Sequence, residues 1–124
     1  MTFRFRDFPV YKDARLFRKE IKRLSKKKFP PEEKYALRVQ LWRVLDSILL
    51  NIAEGSDRYS DQDFSRFLNN AVASTNEVVA CLDAAFDDSY LTTEEHRTYT
   101  KKAENIVKQL KSFSSKVRKD DKRH

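Results

Sequence analysis

A chain of 124 residues suits one domain with a real core, and its composition is 40% hydrophobic and 36% charged. One glycine and three prolines are too few turn residues for an all-β fold or a glycine-rich phosphate loop, and a single cysteine, Cys81, excludes a disulfide framework or a multi-thiolate metal site. The net charge of +7 is unevenly placed: residues 1–28 carry +8, residues 29–100 carry −7 and residues 101–124 carry +6, so the ends are basic and the middle is acidic.

The first helix is expected over residues 10–28. Val10, Ala14, Phe17, Ile21 and Leu24 recur at steps of three and four and form one face. Lys12, Arg15, Lys19, Lys22, Arg23 and Lys26 recur on the opposite face. Lys26-Lys27-Lys28 suit the negative end of the helix dipole, and Phe29-Pro30-Pro31 stops the helix.

A second helix is expected over 32–54, opened by Glu32 and Glu33. Gly55 closes it, as a residue free to adopt positive φ. Tyr35, Val39, Trp42, Leu49 and Ala53 form one apolar stripe, which Leu37, Leu41, Val44, Leu45, Ile48 and Ile52 extend. Together they cover about 240° of the helix, more than one bundle core asks for. Burial on two sides follows, and the second side is read as a subunit interface through Leu37, Leu41, Val44, Leu45 and Ile48.

Ser60 and Asp63 make a partial capping box for a third helix over 61–88. Its core face is Phe64, Phe67, Leu68, Ala71, Thr75, Val78, Leu82 and Phe86. On its back Ala73, Ala80 and Ala84 either admit a second chain closely or reflect the helix propensity of alanine. Thr92 and Glu95 form a full capping box for a fourth helix over 93–118. Tyr99, Ala103, Ile106, Leu110, Phe113 and Val117 face its core, Lys101, Lys108, Lys111 and Lys119 lie opposite, and residues 119–124 read as a frayed basic tail. One domain over 1–124 results: an all-α, antiparallel up-down-up-down four-helix bundle. Helices one and four are neighbours in it, and their basic backs join in one cationic surface.

Catalytic patterns fail. A di-metal bundle needs Glu-x-x-His pairs, yet the histidines are His96 and His124, and Thr93 stands three residues before His96. No Ser-His-Asp or Cys-His set can be assembled, and Cys81 between Val79 and Leu82 reads as core packing. Arg118 and His124 match a spacing used by some helical ribonucleases, but the histidine ends a charged tail. The chain is therefore read as having no catalytic residue, no metal and no cofactor. No stretch is apolar for long enough to be a signal-peptide core or a membrane span, so a cytoplasmic location is expected.

The positive reading is binding of RNA or DNA through Lys12, Arg15, Lys19, Lys22, Arg23, Lys26, Lys108 and Lys111, by phosphate neutralisation and counterion release. Phe3, Phe5, Phe8 and Tyr11 beside Arg4 and Arg6 either offer stacking faces or pack on the bundle or a neighbouring chain. The alternative is a scaffold that binds a protein partner. A membrane-surface role for helix one ranks last, because its narrow apolar stripe is needed for the core.

One stretch is more specific than composition. Ser47-Ile48-Leu49-Leu50-Asn51-Ile52-Ala53-Glu54-Gly55, then Arg58, Ser60 and Phe64-Ser65-Arg66-Phe67-Leu68, resembles the four-helix bundle family named after proteins encoded in intervening sequences of 23S rRNA genes. Phe29-Pro30 before Glu33 and Tyr35, and Tyr90-Leu91 before Glu94, resemble its two other interhelix signatures. The resemblance covers about residues 8–118. It implies a ring-shaped homopentamer and kinship with the accessory variability proteins of diversity-generating retroelements, which associate with a reverse transcriptase and nucleic acid. It implies no catalytic residue. The family usually has proline at Leu49, an apolar residue at Asp46, arginine at Trp42 and often glycine at Ser89. Asn51, Glu54, Gly55 and Arg58 read as a structural signature that fixes the turn between helices two and three, or else as a small binding pocket.

Overall fold

Each helix is delimited by local chemistry in a computed structural model that describes residues 3–121. After a short 3-10 turn at Arg4–Asp7, α1 (Pro9–Lys28) starts on Pro9, whose fixed φ suits a first helical turn. It ends at Phe29, which is extended before Pro30-Pro31. α1 buries Val10, Ala14, Phe17, Ile21 and Ser25.

The second helix departs from expectation at both ends. Residues Pro31–Tyr35 form a separate 3-10 turn, Ala36 breaks the chain direction at φ −129° and ψ −104°, and α2 runs Leu37–Ser56. The cause is Glu33, whose carboxylate accepts the Leu37 amide at 3.0 Å and so caps α2 one turn later than the sequence pattern implied. Gly55 does not end the helix with positive φ. It lies inside α2, buried, and is needed for close approach: a Cβ there would stand 2.7 Å from Phe67 Cβ and 3.1 Å from the Phe64 ring. The left-handed residue is Ser89, at φ 66°, in the turn before Tyr90.

α3 (Asp61–Asp87) is capped by Ser60, whose Oγ accepts the Asp63 amide at 3.1 Å. The Asp63 carboxylate turns to Arg66 instead of closing the box. α4 (Thr93–Asp121) has the full box: Glu95 N–H donates to Thr92 Oγ1 at 3.0 Å and Thr92 N–H to Glu95 Oε1 at 2.8 Å. That amide bond, with the Lys28 charge, holds the Glu95 carboxyl below its ordinary range against the opposing effect of burial. α4 continues past residue 118 to Asp121, so the expected fraying does not begin at residue 119; residues 122–124 lie outside the described range.

α1 packs on α2 and α4, and α3 packs on α2 and α4, which is the sequential square of an up-down-up-down bundle. No strand occurs among the described residues. One core runs through all four helices, with Phe17, Ile21, Leu41, Leu45, Leu68, Leu82, Ile106 and Leu110 among its sealed side chains. Leu41, Val44, Leu45 and Ile48 are 0%, 5%, 0% and 1% exposed, which corrects their assignment to a subunit interface: a side chain sealed in its own core has no surface to offer. Leu37 is half-buried, Ala84 is half-buried, and Ala73 and Ala80 are exposed. The surplus apolar surface of α2 is carried by Val39 and Leu50, 51% and 66% exposed.

The two short interhelix signatures meet at one end of the bundle. The Phe29 and Tyr90 rings are 5.6 Å apart, Tyr90 Oη donates to Glu33 Oε1 at 3.1 Å, and Lys28 Nζ lies 3.5 Å from Glu95 Oε2. One carboxylate, Glu33, thus caps α2 and ties its approach to the α3–α4 turn.

Candidate nucleic-acid interface

The helical repeat that sends Phe17 and Ile21 inward sends lysine and arginine outward. Lys12, Arg15, Lys19, Arg23 and Lys26 are exposed, and Lys22 is half-buried. Ion pairs engage the margins of α1: Arg18 Nε is 2.6 Å and Lys22 Nζ 3.4 Å from Asp46 Oδ1, and Lys28 pairs with Glu95. Lys12, Arg15, Lys19, Arg23 and Lys26 have no carboxylate partner among the described residues. Burial would raise the Asp46 pKa, but the Arg18 hydrogen bond and the Lys22 and Arg18 charges outweigh it and hold the carboxyl below its ordinary value. Asp46, where the family usually has an apolar residue, is half-buried rather than sealed. It stands at the α1–α2 edge and pins two cations there.

Trp42 lies beside it. The indole is half-buried against the core, and its Nε1 donates to Ser25 Oγ at 2.8 Å; Ser25 in turn donates to the Lys22 carbonyl. Lys22 Nζ, Lys26 Nζ and Arg38 Cζ stand 4.8, 5.4 and 5.3 Å from the ring centroid. Sequence reasoning placed Trp42 in the core stripe, noted Asp46 only as a departure from the family pattern, and missed Arg18, Ser25 and Arg38. The i,i+4 spacing of Arg38 and Trp42 carried part of the signal; the two lysines come from another helix and have no signature in the local pattern.

The expected single surface over α1 and α4 is interrupted. Asp13 Oδ2 accepts from Gln109 Nε2 at 2.8 Å, and Glu20 Oε1 pairs with Lys102 Nζ at 3.0 Å, so two α1 carboxylates stand on the seam with the exposed Leu16 between them. Lys108 and Lys111 are exposed on α4, across this neutralised seam from the α1 cations. Of the N-terminal aromatics, Phe5, Phe8 and Tyr11 pack on the bundle, whereas Phe3 is 56% exposed. Phe8 lies 6.1 Å from Phe64 and 5.0 Å from Phe113, Phe5 lies 5.0 Å from Tyr11, and Arg4 donates to the Ser56 carbonyl at 2.9 Å.

Around Gly55 the motif does structural work. Asn51 Nδ2 donates to the Ser47 carbonyl at 2.9 Å, and Ser47 Oγ meets Ser74 Oγ of α3 at 2.7 Å. Glu54 pairs with Arg58, whose guanidinium stands 4.5 Å from the Phe67 ring centroid. Asn51 and Arg58 line two adjoining open clefts, of about 650 and 930 Å³, that share Leu50 and Glu54. His96 Nε2 lies 2.7 Å from Asp83 Oδ1, and its ring stacks on Phe86 at 4.6 Å. Burial and the Glu77 charge push the Cys81 thiol up, away from the reactive thiolate. His124 lies outside the described residues. Among those described, no cluster of three His, Cys, Asp or Glu is placed to hold a metal, and no helix is long and apolar enough to cross a membrane.

The model of the 23S rRNA-intervening sequence protein family matches residues 6–112, which spans α1 to α3 and most of α4. The chain belongs to this family. The crystal structure of a protein with unknown function from the S23 ribosomal protein family of Bacteroides thetaiotaomicron is similar to it, with 27% sequence identity and a TM-score of 0.77 over 85% of this chain and 97% of that one. No curated protein matches it. The family match includes the whole cationic face of α1 as well as the Gly55 crossing.

Proposed function

We infer that this family member is a non-catalytic, cytoplasmic nucleic-acid-binding protein that works as a homo-oligomer and holds RNA or DNA on the outward face of α1. The observation that carries the reading is the row Lys12, Arg15, Lys19, Arg23 and Lys26, five exposed cations without carboxylate partners among the described residues. From Lys12 to Lys26 the helix rises about 21 Å, roughly six phosphate spacings of a stacked strand. Such a row supplies affinity without sequence choice, because it touches backbone and not base edges. Lys108 and Lys111 add a second, separate cationic face. The family name refers to 23S rRNA, which makes RNA the first target to test. In a homopentamer, as the resemblance implies, the row repeats five times and weak contacts gain by multivalency.

The test is an anisotropy titration of labelled RNA and DNA at about 50 and 200 mM salt, on protein whose mass in solution is measured alongside. Binding is expected at low salt, weaker by an order of magnitude or more at high salt, and lost when Arg15, Lys19 and Arg23 become Glu. Absence of binding at low salt, or binding indifferent to the reversal, overturns the reading.

A second reading is favoured by Leu16, Val39 and Leu50, apolar side chains more than half exposed on α1 and α2. They fit a scaffold that binds a protein, with a reverse transcriptase as the partner the resemblance supplies. Partner binding of that kind is insensitive to salt and is lost in V39E/L50E.

A further inference from the structure

Resting on that reading, the edge of the α1 face shows what can happen to the bases of a bound strand. Trp42 is half-buried there, and its Nε1–H bond to Ser25 holds the indole in one orientation, so little freedom is lost when a ligand stacks on it. Lys22, Lys26 and Arg38 stand around the ring at 4.8, 5.4 and 5.3 Å from its centroid. Among the described residues Lys26 and Arg38 have no carboxylate partner, and Asp46, the carboxylate in this groove, is already engaged by Arg18 and Lys22.

A cation over an indole is attracted by the ring quadrupole alone, whereas a phosphate offers it a charge-assisted hydrogen bond. When a phosphate arrives, Lys26 and Arg38 have the stronger partner and swing off the ring on their flexible stems. The uncovered face can then take a nucleobase. Bases inside a duplex are already stacked, so an unpaired nucleotide alone can use it.

We propose that Trp42 is a stacking platform for an unpaired base, with Lys26 and Arg38 holding the flanking phosphates, so that the α1–α2 groove selects single-stranded over double-stranded nucleic acid.

Trp42 is the chain's one tryptophan, so its intrinsic fluorescence reports the site directly. The full chain is titrated with an end-labelled oligouridylate of about 12 nucleotides and with a duplex RNA of the same length, following label anisotropy and tryptophan emission together. Saturable quenching by the single strand is expected, with little change on duplex binding. Trp42→Leu should weaken single-strand binding by about 5- to 100-fold and leave duplex binding within about twofold. Trp42→Phe, which retains a stacking face, should keep most of the affinity, and K26Q/R38Q should weaken both ligands. Anisotropy binding of the oligonucleotide without quenching overturns the platform and leaves the phosphate reading of α1 standing. Equal loss of single-strand and duplex affinity in Trp42→Leu does the same. Failure of both ligands to bind at low salt overturns the platform together with the reading beneath it. Quenching in the wild-type chain decides even if Trp42→Leu does not fold.

Discussion

The α3–α4 seam and the α1–α2 groove follow the same helical repeat and fill it differently. α3 lies close along both its neighbours, and its polar atoms are matched inside: Ser65 Oγ meets Ser114 Oγ at 2.6 Å, and Thr75 Oγ1 donates to the Ala71 carbonyl at 2.8 Å. α1 stands farther from its neighbours, and its groove with α2 collects an indole, an aspartate and several cations at the edge of solvent. The difference separates two tasks. Apolar contact and paired serines around α3 hold the fold, while α1 contributes one stripe to the core and leaves five cations exposed for the partner proposed above.

Mutations can break this division, beginning in the sealed half. Leu68→Ala removes a side chain that is 0% exposed and should cost about 2–5 kcal/mol in urea unfolding. Lys19→Gln on the outward face of α1 should stay within about 0.5 kcal/mol. Gly55→Ala should cost about 1–3 kcal/mol, since a Cβ 2.7 Å from Phe67 Cβ forces α2 and α3 apart by more than alanine's helix preference offsets. Ser114→Ala strands the buried Ser65 hydroxyl and should cost about 1–3 kcal/mol, with part of the loss recovered in S65A/S114A.

The smallest stability effect belongs to the groove. The Asp46 side chain is 44% exposed, so Asp46→Asn should change stability by less than about 1 kcal/mol. It should also tighten oligonucleotide binding a few-fold by releasing Arg18 and Lys22. Because the folded Asp46 pKa lies below its ordinary value of 3.8, its stabilisation is fully present above that value and is lost as pH falls through the lower folded one. Acid titration of wild type against Asp46→Asn should therefore diverge only on that acid side; divergence near neutral pH would mean the pair is not formed.

Much of this was legible in the sequence, and the exceptions share a cause. Helical period and the Ser60 and Thr92 caps set three of the four helix starts, because those signals lie within a few residues of each other. The start of α2 was misplaced: Glu33 caps Leu37 through one carboxylate oxygen while Tyr90, from the far turn, donates to the other. Gly55 looked like a terminator because its constraint, the Phe67 side chain, arrives from another helix. The basic face of α1 was visible from spacing. The carboxylates that divide it from α4, and the indole that edges it on α2, became visible only once the helices were side by side.

The most direct test of the phosphate-binding face is the slope of log K against log salt for single-stranded RNA, measured for wild type and for K12Q/K19Q/R23Q. Each neutralised phosphate contributes about −0.7 to that slope, so the triple variant should bind more weakly and show a slope shallower by about 2. Equal slopes for the two proteins would contradict the account, because they would mean that the cations of α1 touch no phosphate.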